Sequence, residues 1–168
     1  MRLLGLDPGL RHTGWGVIDV EGNRLRHVAN GAVDSDSSRP MSERLLQLWD
    51  GIAAVIAQYN PDEAAIEETF VNKNAVSTLK LGHARAAVML APARAGIPVA
   101  EYGANLIKKS VVGNGHAGKE QVAMMVRTLF PGCNFNSPDA ADALAVAVCH
   151  AHHASTQRAW ARAAGAAR

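Results

Sequence analysis

Four carboxylates that are remote from one another in the chain could meet in one site. Asp7 and Glu67 each end a short apolar run that is typical of a β-strand, and ligand sites of α/β sheets gather outside such strand ends. Asp139 and Asp142 lie three positions apart at the start of a predicted helix, so both side chains project from one face. Alternation along the strand gives Glu68 the opposite face from Glu67, so these neighbours cannot share one role.

Carboxylates packed together in a partly buried site repel one another unless a cation neutralises them or they keep their protons. An all-oxygen donor set suits Mg²⁺ or Mn²⁺ better than zinc. Two such ions, roughly 4 Å apart, could activate a water and stabilise the entering and leaving oxygens of a phosphoryl displacement. The chemistry indicated is phosphodiester hydrolysis without a covalent enzyme intermediate, with Mg²⁺ as cofactor, Mn²⁺ as an alternative, and two ions in each site.

Each of these acidic positions also has a purely structural explanation. Asp7, Pro8 and Gly9 suit a type II turn, and a pair of glutamates closes many strands. Acidic residues in the first turn of a helix complement its dipole. Taken singly, the structural explanations are favoured, whereas their joint occurrence favours a metal site.

Apolar periodicity and turn residues predict the elements that would position these side chains. Ser137 is expected to cap the last helix, whose first residue is Pro138, and Pro92 should kink its helix or end it early. The pattern predicts an α/β architecture with a mixed central sheet, an antiparallel meander plus parallel strands, flanked by helices. The predicted elements are strands over residues 3–6, 15–20 and 25–33, a helix over 42–59, a strand over 64–67, a helix over 74–95, a strand over 97–102, helices over 104–112 and 118–130, and a helix from 138.

Size and composition indicate one domain. The chain has 168 residues, of which 48% are hydrophobic, enough for one core and too few for two ordinary domains. We expect the domain to span residues 1–154 and residues 155–168, rich in Ala and Arg, to form a flexible tail. The sequence has no apolar run of membrane-spanning length and no signal peptide pattern, so we expect a cytoplasmic protein. Cys133 and Cys149 are the two cysteines, and they offer neither a disulfide framework nor a zinc motif.

Charge is unevenly distributed along the chain. Residues 1–68 carry six Lys and Arg against eleven Asp and Glu, whereas residues 69–138 carry eight against two. A cationic segment after an acidic one suits an enzyme that holds metal ions and binds a polyphosphate. A solvated basic face explains the charge equally well.

Four segments of the chain resemble the RuvC family of Holliday-junction resolvases. The resemblance covers about residues 3–153 in the order and spacing of the family, which makes it specific. It implies a ribonuclease H-like fold, a homodimer and a Mg²⁺-dependent nuclease whose metal ligands are Asp7, Glu67, Asp139 and Asp142. The matching segments are GLDPGLRHTGWGVID, AIEETFVNKNAVSTLKLGHARA, IKKSVVGNGHAGKEQV and DAADALAVAVCHAH.

The same resemblance implies further site residues. Lys108 and Lys119 occupy the positions of lysines that serve the reaction in similar proteins, and Phe70 matches an aromatic directed at the junction centre. Surface roles for the lysines and a core position for Phe70 are the alternatives. The predicted DNA-contacting set consists of Phe70, Asn72, Lys73, Asn74, Lys80, Arg85 and Lys109.

The implied activity is paired, symmetric cleavage of two strands of like polarity at a four-way DNA junction, in homologous recombination and DNA repair. Cleavage would leave 5′-phosphate and 3′-hydroxyl ends, and a branch-migration complex of RuvA and RuvB would be the partner. A small-residue face with Gly82, Ala84, Ala86 and Ala87 is the candidate dimer interface, although packing against the chain's own sheet explains it equally well.

Three histidines near the end of the apolar helix, His150, His152 and His153, invite a metal assignment. They lack a clear set of partners in the sequence, so solvent exposure or packing is the favoured interpretation.

Two other functions fit part of the pattern. An actin-like or sugar-kinase ATP-binding lobe also begins with a strand and a glycine-containing hairpin, but it needs a second lobe and a longer chain. A non-catalytic relative that binds structured nucleic acid would be favoured by loss of a core carboxylate. All four carboxylates are present, which favours the nuclease.

Overall fold

The computed structural model describes residues 1–68, 74–135 and 137–165. A five-stranded sheet is covered by five helices. The strands are β1 Arg2–Asp7, β2 His12–Glu21, β3 Arg24–Asp34, β4 Glu63–Glu67 and β5 Val99–Tyr102; the helices are α1 Met41–Tyr59, α2 Ala75–Arg94, α3 Ala104–Val112, α4 Lys119–Leu129 and α5 Pro138–Gly165.

The sheet is mixed, as predicted from the sequence. Its strand order is β3-β2-β1-β4-β5, with β1, β2 and β3 antiparallel and with β4 parallel to both β1 and β5. Leu6 of β1 pairs with Ile66 of β4, so the next residues, Asp7 and Glu67, end neighbouring strands at the same edge. The carboxyl ends of these two parallel strands therefore bring the first pair of carboxylates together.

Helices cover both faces of the sheet. Leu3 and Ala65 pack in the core formed with α3, α4 and α5, whereas Leu4 and Ile66 pack in the core formed with α1 and α2. Because side chains alternate along a strand, Asp7 and Glu67 belong to the same face as Leu3 and Ala65, which is the face that α5 covers. The continuous apolar run of α5 has a physical reason, since residues 143–151 of this helix are buried on all sides.

Glycines in the strands allow α5 to lie unusually close to the sheet. A Cβ atom added at Gly14 would come within 2.0 Å of the Asp139 carbonyl oxygen, and one added at Gly5 within 2.0 Å of the Ala143 carbonyl oxygen. Only glycine permits such an approach between two backbones. The contact holds Asp139, and Asp142 one turn later, beside the end of β1.

Helix α2 differs from expectation at Pro92. The helix continues to Arg94, so the expectation that Pro92 ends it early is wrong. Pro92 lies in the last turn, where its missing N–H removes a single intrahelical bond, and the proline is buried. The Ala95 N–H, which donates to the Ala91 carbonyl at 3.2 Å, then closes the helix.

The small residues of α2 divide between two faces. Ala84 and Ala87 are buried within the protein's own core, so packing against its own fold is the correct explanation for these two. Gly82 and Ala86 lie on the exposed face, and a Cβ atom added at Gly82 would meet nothing within 4 Å. The exposed face alone therefore stays a candidate dimer interface.

Helix α5 begins as the sequence predicts. The Ser137 hydroxyl accepts a hydrogen bond from the Ala140 N–H at 3.1 Å, and Pro138 is the first helical residue. The helix runs to Gly165, past the domain end expected at residue 154, and a flexible tail over residues 155–168 stays a prediction. No helix among the described residues combines the length and apolar character that crossing a bilayer requires.

Substitution of Gly14 by alanine tests the close approach of α5. Because the new Cβ would overlap the Asp139 carbonyl, Gly14→Ala should lower the free energy of unfolding by about 2 kcal/mol, measured by urea denaturation. Gly118→Ala is the matched control, since the nearest atom to its new Cβ is Gln121 Oε1 at 3.9 Å. Equal stability of the two variants would contradict this packing.

Candidate active site

Charged side chains from five elements line one cleft of about 290 Å³ at the carboxyl edge of the sheet. Asp7 comes from the end of β1, Glu67 from the end of β4 and Asp142 from the second turn of α5. Lys108 of α3, Lys119, the first residue of α4, and Glu68, which follows β4, complete the charged lining. Glu68 was expected on the opposite face of the strand from Glu67, yet it borders the same cleft. Three of the four carboxylates singled out in the sequence therefore share this cleft with both of the predicted lysines.

Asp139 does not line the cleft but still contributes to its electrostatics. Burial, together with the negative charges of Asp142, Glu67 and Asp139, raises the pKa of Asp7 to about 8. Such an effect requires the other three carboxylates to lie within electrostatic reach of Asp7. With its pKa at this value, Asp7 keeps its proton at neutral pH when no cation is present.

The two lysines offset only part of this negative charge. The Lys119 ammonium donates a hydrogen bond to Asp142 Oδ2 at 3.3 Å, and the Asp142 charge raises the pKa of Lys119. Burial raises the pKa of both Glu67 and Asp142, although Lys119 and Lys108 act in the opposite direction. The cleft thus keeps an excess of negative charge that a cation would relieve.

The donor chemistry of the cleft fits hard divalent cations. Its candidate ligands are carboxylate oxygens, which Mg²⁺ and Mn²⁺ prefer, and burial holds the pKa values of Asp7, Glu67 and Asp142 above their ordinary values although Lys119 lowers them. As the side chains stand, no three His, Cys, Asp or Glu residues in the described part of the chain form a group that could hold an ion. Binding would therefore require these side chains to shift and Asp7 to lose its proton.

Comparison with known proteins places the chain in a family. The sequence model of crossover junction endodeoxyribonuclease RuvC matches residues 3–150. The chain belongs to the RuvC family. A RuvC of Paramagnetospirillum magneticum is 66% identical over 163 residues, which cover 97% of this chain and 98% of the relative. A RuvC of Rhodospirillum rubrum is 64% identical over 153 residues, which cover 91% and 90%.

A solved RuvC structure shares the fold. The RuvC of Thermus thermophilus in complex with a Holliday junction substrate is 35% identical and superposes with a TM-score of 0.86, covering 94% of this chain and 96% of that chain. The expected ribonuclease H-like fold is thereby confirmed. Membership of the RuvC family favours the nuclease interpretation over the actin-like or sugar-kinase alternative.

The residues predicted to contact DNA in this RuvC-family chain differ from one another in exposure and in hydrogen bonding. Lys80 and Lys109 are exposed. The Asn74 side chain accepts a hydrogen bond from the Ser77 N–H at 3.1 Å and so caps α2. Phe70, Asn72 and Lys73 lie outside the described residues.

Arg85 has partners within the protein. Its Nε donates a hydrogen bond to the Glu67 carbonyl oxygen at 3.1 Å, and its guanidinium forms an ion pair with Glu101 of β5. The side chain is 19% exposed. Its predicted contact with DNA stays a prediction.

A buried hydrogen-bonded set was not apparent in the sequence. His150 Nε2 lies 2.8 Å from Glu63 Oε2, and its Nδ1 lies 2.8 Å from the Tyr102 hydroxyl. His153 stacks on the Tyr102 ring at 5.5 Å between centroids, and His152 is exposed. Packing was therefore the correct interpretation for His150 and His153, but their partners are too distant in the sequence for spacing to reveal them.

Asp7 should make the metal-free protein less stable as the pH rises. Its folded pKa of about 8 lies above its ordinary value of 3.8, so the stability it contributes is complete below pH 3.8 and is lost as the pH rises through 8. Asp7→Asn removes the ionisation. In a chelating buffer, we expect the melting temperature of this variant minus that of wild type to increase by roughly 5 °C between pH 5 and pH 8.

Asp50→Asn is the control for this measurement, because Asp50 is an exposed carboxylate on α1. Its melting temperature should follow the wild-type pH profile. Parallel pH profiles for Asp7→Asn and wild type would show that folding does not raise the pKa of the Asp7 carboxyl.

Proposed function

We propose that this RuvC-family chain is a structure-selective endonuclease that resolves Holliday junctions in homologous recombination and DNA repair. The observation that carries the proposal is the cleft at the ends of β1 and β4, where Asp7, Glu67 and Asp142 meet Lys108 and Lys119. These are the residue types that metal-dependent phosphodiester hydrolysis requires, and they belong to the segments that match the family. Hydrolysis would leave 5′-phosphate and 3′-hydroxyl ends.

The cofactor we propose is Mg²⁺, with Mn²⁺ as an effective substitute and two ions in each site. Asp7, Glu67, Asp139 and Asp142 would hold the ions, which when bound supply an activated water and neutralise charge on the transferring phosphoryl group. Asp7 gives up its proton when a cation binds, because the cation reverses the electrostatic cause of its raised pKa.

The lysines hold positive charge where negative charge develops in the reaction. Lys119 borders the carboxylates through its contact with Asp142, and Lys108 lines the same cleft from α3. Preorganised charge of this kind stabilises a transition state without reorganisation of the protein during the reaction. We therefore assign the two lysines to the chemical step.

The exposed face of α2 supports a homodimer. Val76, Leu79 and Leu90 are 62%, 62% and 60% exposed, and they lie on one side of the helix together with Gly82 and Ala86. Large apolar side chains in a row on a surface mark an interaction site, and a second copy would bury the same row on both sides of a two-fold axis. A two-fold dimer presents two clefts to two strands of like polarity, which symmetric paired cleavage requires.

We propose that Lys80 and Lys109, both exposed, contact DNA phosphates, and that Phe70, Asn72 and Lys73 contact the junction although they lie outside the described residues. The chain would act in the cytoplasm, and a complex of RuvA and RuvB would deliver the junction.

Cleavage of labelled DNA tests the function. We expect the purified protein to make paired, symmetric nicks in an end-labelled four-way junction with Mg²⁺, but none in linear duplex and none with chelator. Asp7→Asn should bind the junction with an affinity within about twofold of wild type yet lose at least about 100-fold in nicking rate, whereas Asp50→Asn should cleave normally. Cleavage of linear duplex, or equal cleavage by Asp7→Asn, would overturn the assignment.

Substitution of Leu90 tests the dimer. A glutamate at this exposed position would place an unpaired negative charge in the apolar row of each copy, so Leu90→Glu should be monomeric by light scattering and should lose paired nicks. Met124→Glu is the matched control, because Met124 is 58% exposed but lies on α4, across the sheet from α2. If both variants stay dimeric, the α2 face is not the interface.

A further inference from the structure

Arg85 joins three elements next to the carboxylate cleft. From α2, its Nε donates to the carbonyl oxygen of Glu67 at the end of β4, at 3.1 Å, while its guanidinium pairs with Glu101 on β5. A hydrogen bond from a charged donor is stronger than one between neutral groups, and the planar guanidinium holds both partners in a fixed geometry. The arginine therefore fixes the Glu67 peptide with respect to α2 and β5.

Backbone pairing with β5 also restrains the end of β4. Glu67 is the last residue of the strand, and the Glu68 N–H, which donates to the Tyr102 carbonyl at 2.9 Å, continues the pairing with β5 by one residue. The contact from Arg85 to the Glu67 carbonyl thus acts where the strand ends and where the direction of the Glu67 side chain is set.

The surroundings of Arg85 argue against its predicted contact with DNA. Its side chain is only 19% exposed, two of its three guanidinium nitrogens are already engaged within the protein, and the carboxylate of Glu101 lies against it. That negative charge would repel a phosphate that approached the same guanidinium. Leu81, one helical turn before Arg85, lines the cleft, so this flank of α2 borders the site.

We infer that Arg85 is a positioning residue that holds Glu67 in place for the divalent cation, rather than a residue that binds DNA. The inference rests on the proposed function only in naming Glu67 as a metal ligand. A displacement of about 1 Å at a reacting centre can cost a large factor in rate, so loss of this restraint should reduce both metal affinity and cleavage. The exposed apolar side chains Val76, Leu79 and Leu90 also belong to α2. This helix would therefore contact both the second copy of the chain and the end of β4, which carries Glu67.

Three variants separate positioning from DNA contact. Arg85→Gln removes the charge and the fixed geometry, Glu101→Gln leaves the arginine but removes the partner that orients it, and Lys80→Gln is a control at an exposed lysine of the same helix. For each variant, Mn²⁺ affinity is measured by electron paramagnetic resonance without DNA. Junction affinity and its salt dependence are measured without metal, and single-turnover cleavage is measured at saturating junction over a range of Mg²⁺ concentrations.

We expect Arg85→Gln to weaken Mn²⁺ binding and to lower the single-turnover rate by about tenfold or more at limiting Mg²⁺, with junction affinity within about twofold of wild type. Glu101→Gln should change metal affinity and rate in the same direction by a smaller factor. Lys80→Gln should leave Mn²⁺ affinity unchanged and weaken junction binding together with its salt dependence.

Two results would overturn the inference. If Arg85→Gln weakens junction binding and its salt dependence while Glu101→Gln tightens binding, Arg85 contacts DNA. If Arg85→Gln and Glu101→Gln only lower the melting temperature and keep wild-type Mn²⁺ affinity, the arginine serves the fold alone. A wild-type protein that binds Mn²⁺ but does not cleave junctions would reject the proposed function and leave the metal-affinity comparison intact.

Discussion

Repulsion among partly buried carboxylates is the constraint on which the site depends. Burial and the charges of three neighbouring carboxylates raise the pKa of Asp7 to about 8, and the ion pair between Lys119 and Asp142 relieves only part of the excess negative charge. A folded protein that only had to be stable would gain by replacing one of these acids with a neutral side chain. We propose that a divalent cation explains why these acids lie so close together, since it would turn the same repulsion into binding energy and would couple metal binding to proton loss.

The fold keeps these side chains together through packing that lies outside the cleft. Glycines at positions 5 and 14 bring the backbone of α5 against β1 and β2, so the turn of helix that carries Asp139 and Asp142 cannot move away from the end of β1. Apolar cores on both faces of the sheet then make β1, β4 and α5 a rigid frame. Burial elsewhere therefore offsets the cost of the crowded carboxylates. The proposed ligands lie on strands and a helix rather than on loops, which improves the precision of the site.

The sequence predicts those features of the fold and site that depend on local pattern. Strand alternation and the Ser137 cap are local, and the structure agrees with both of them. The spacing of Asp139 and Asp142 is local too, but only Asp142 lines the cleft. The contacts of Arg85 and the hydrogen bonds of His150 join residues that are 16 to 87 positions apart, and no periodicity relates such positions. The family resemblance indicated Lys108 and Lys119 as candidate site residues, but it could not show that Arg85 pairs with Glu101 within the protein. The expectation that α2 ends early at Pro92 was wrong. A helix tolerates proline in its last turn, and the packing of the whole chain decides where that turn lies.

Proton release on metal binding is the most direct test of this account. Mn²⁺ is titrated calorimetrically into the DNA-free protein at pH 7, in two buffers with different enthalpies of ionisation, so that the number of protons released follows from the difference in heat. If burial and like charge hold a proton on Asp7, wild type should release about one proton per site when the ion binds, and Asp7→Asn should release none. Tight Mn²⁺ binding without proton release, or the same release from Asp7→Asn, would contradict the claim that crowded carboxylates are what the cation relieves.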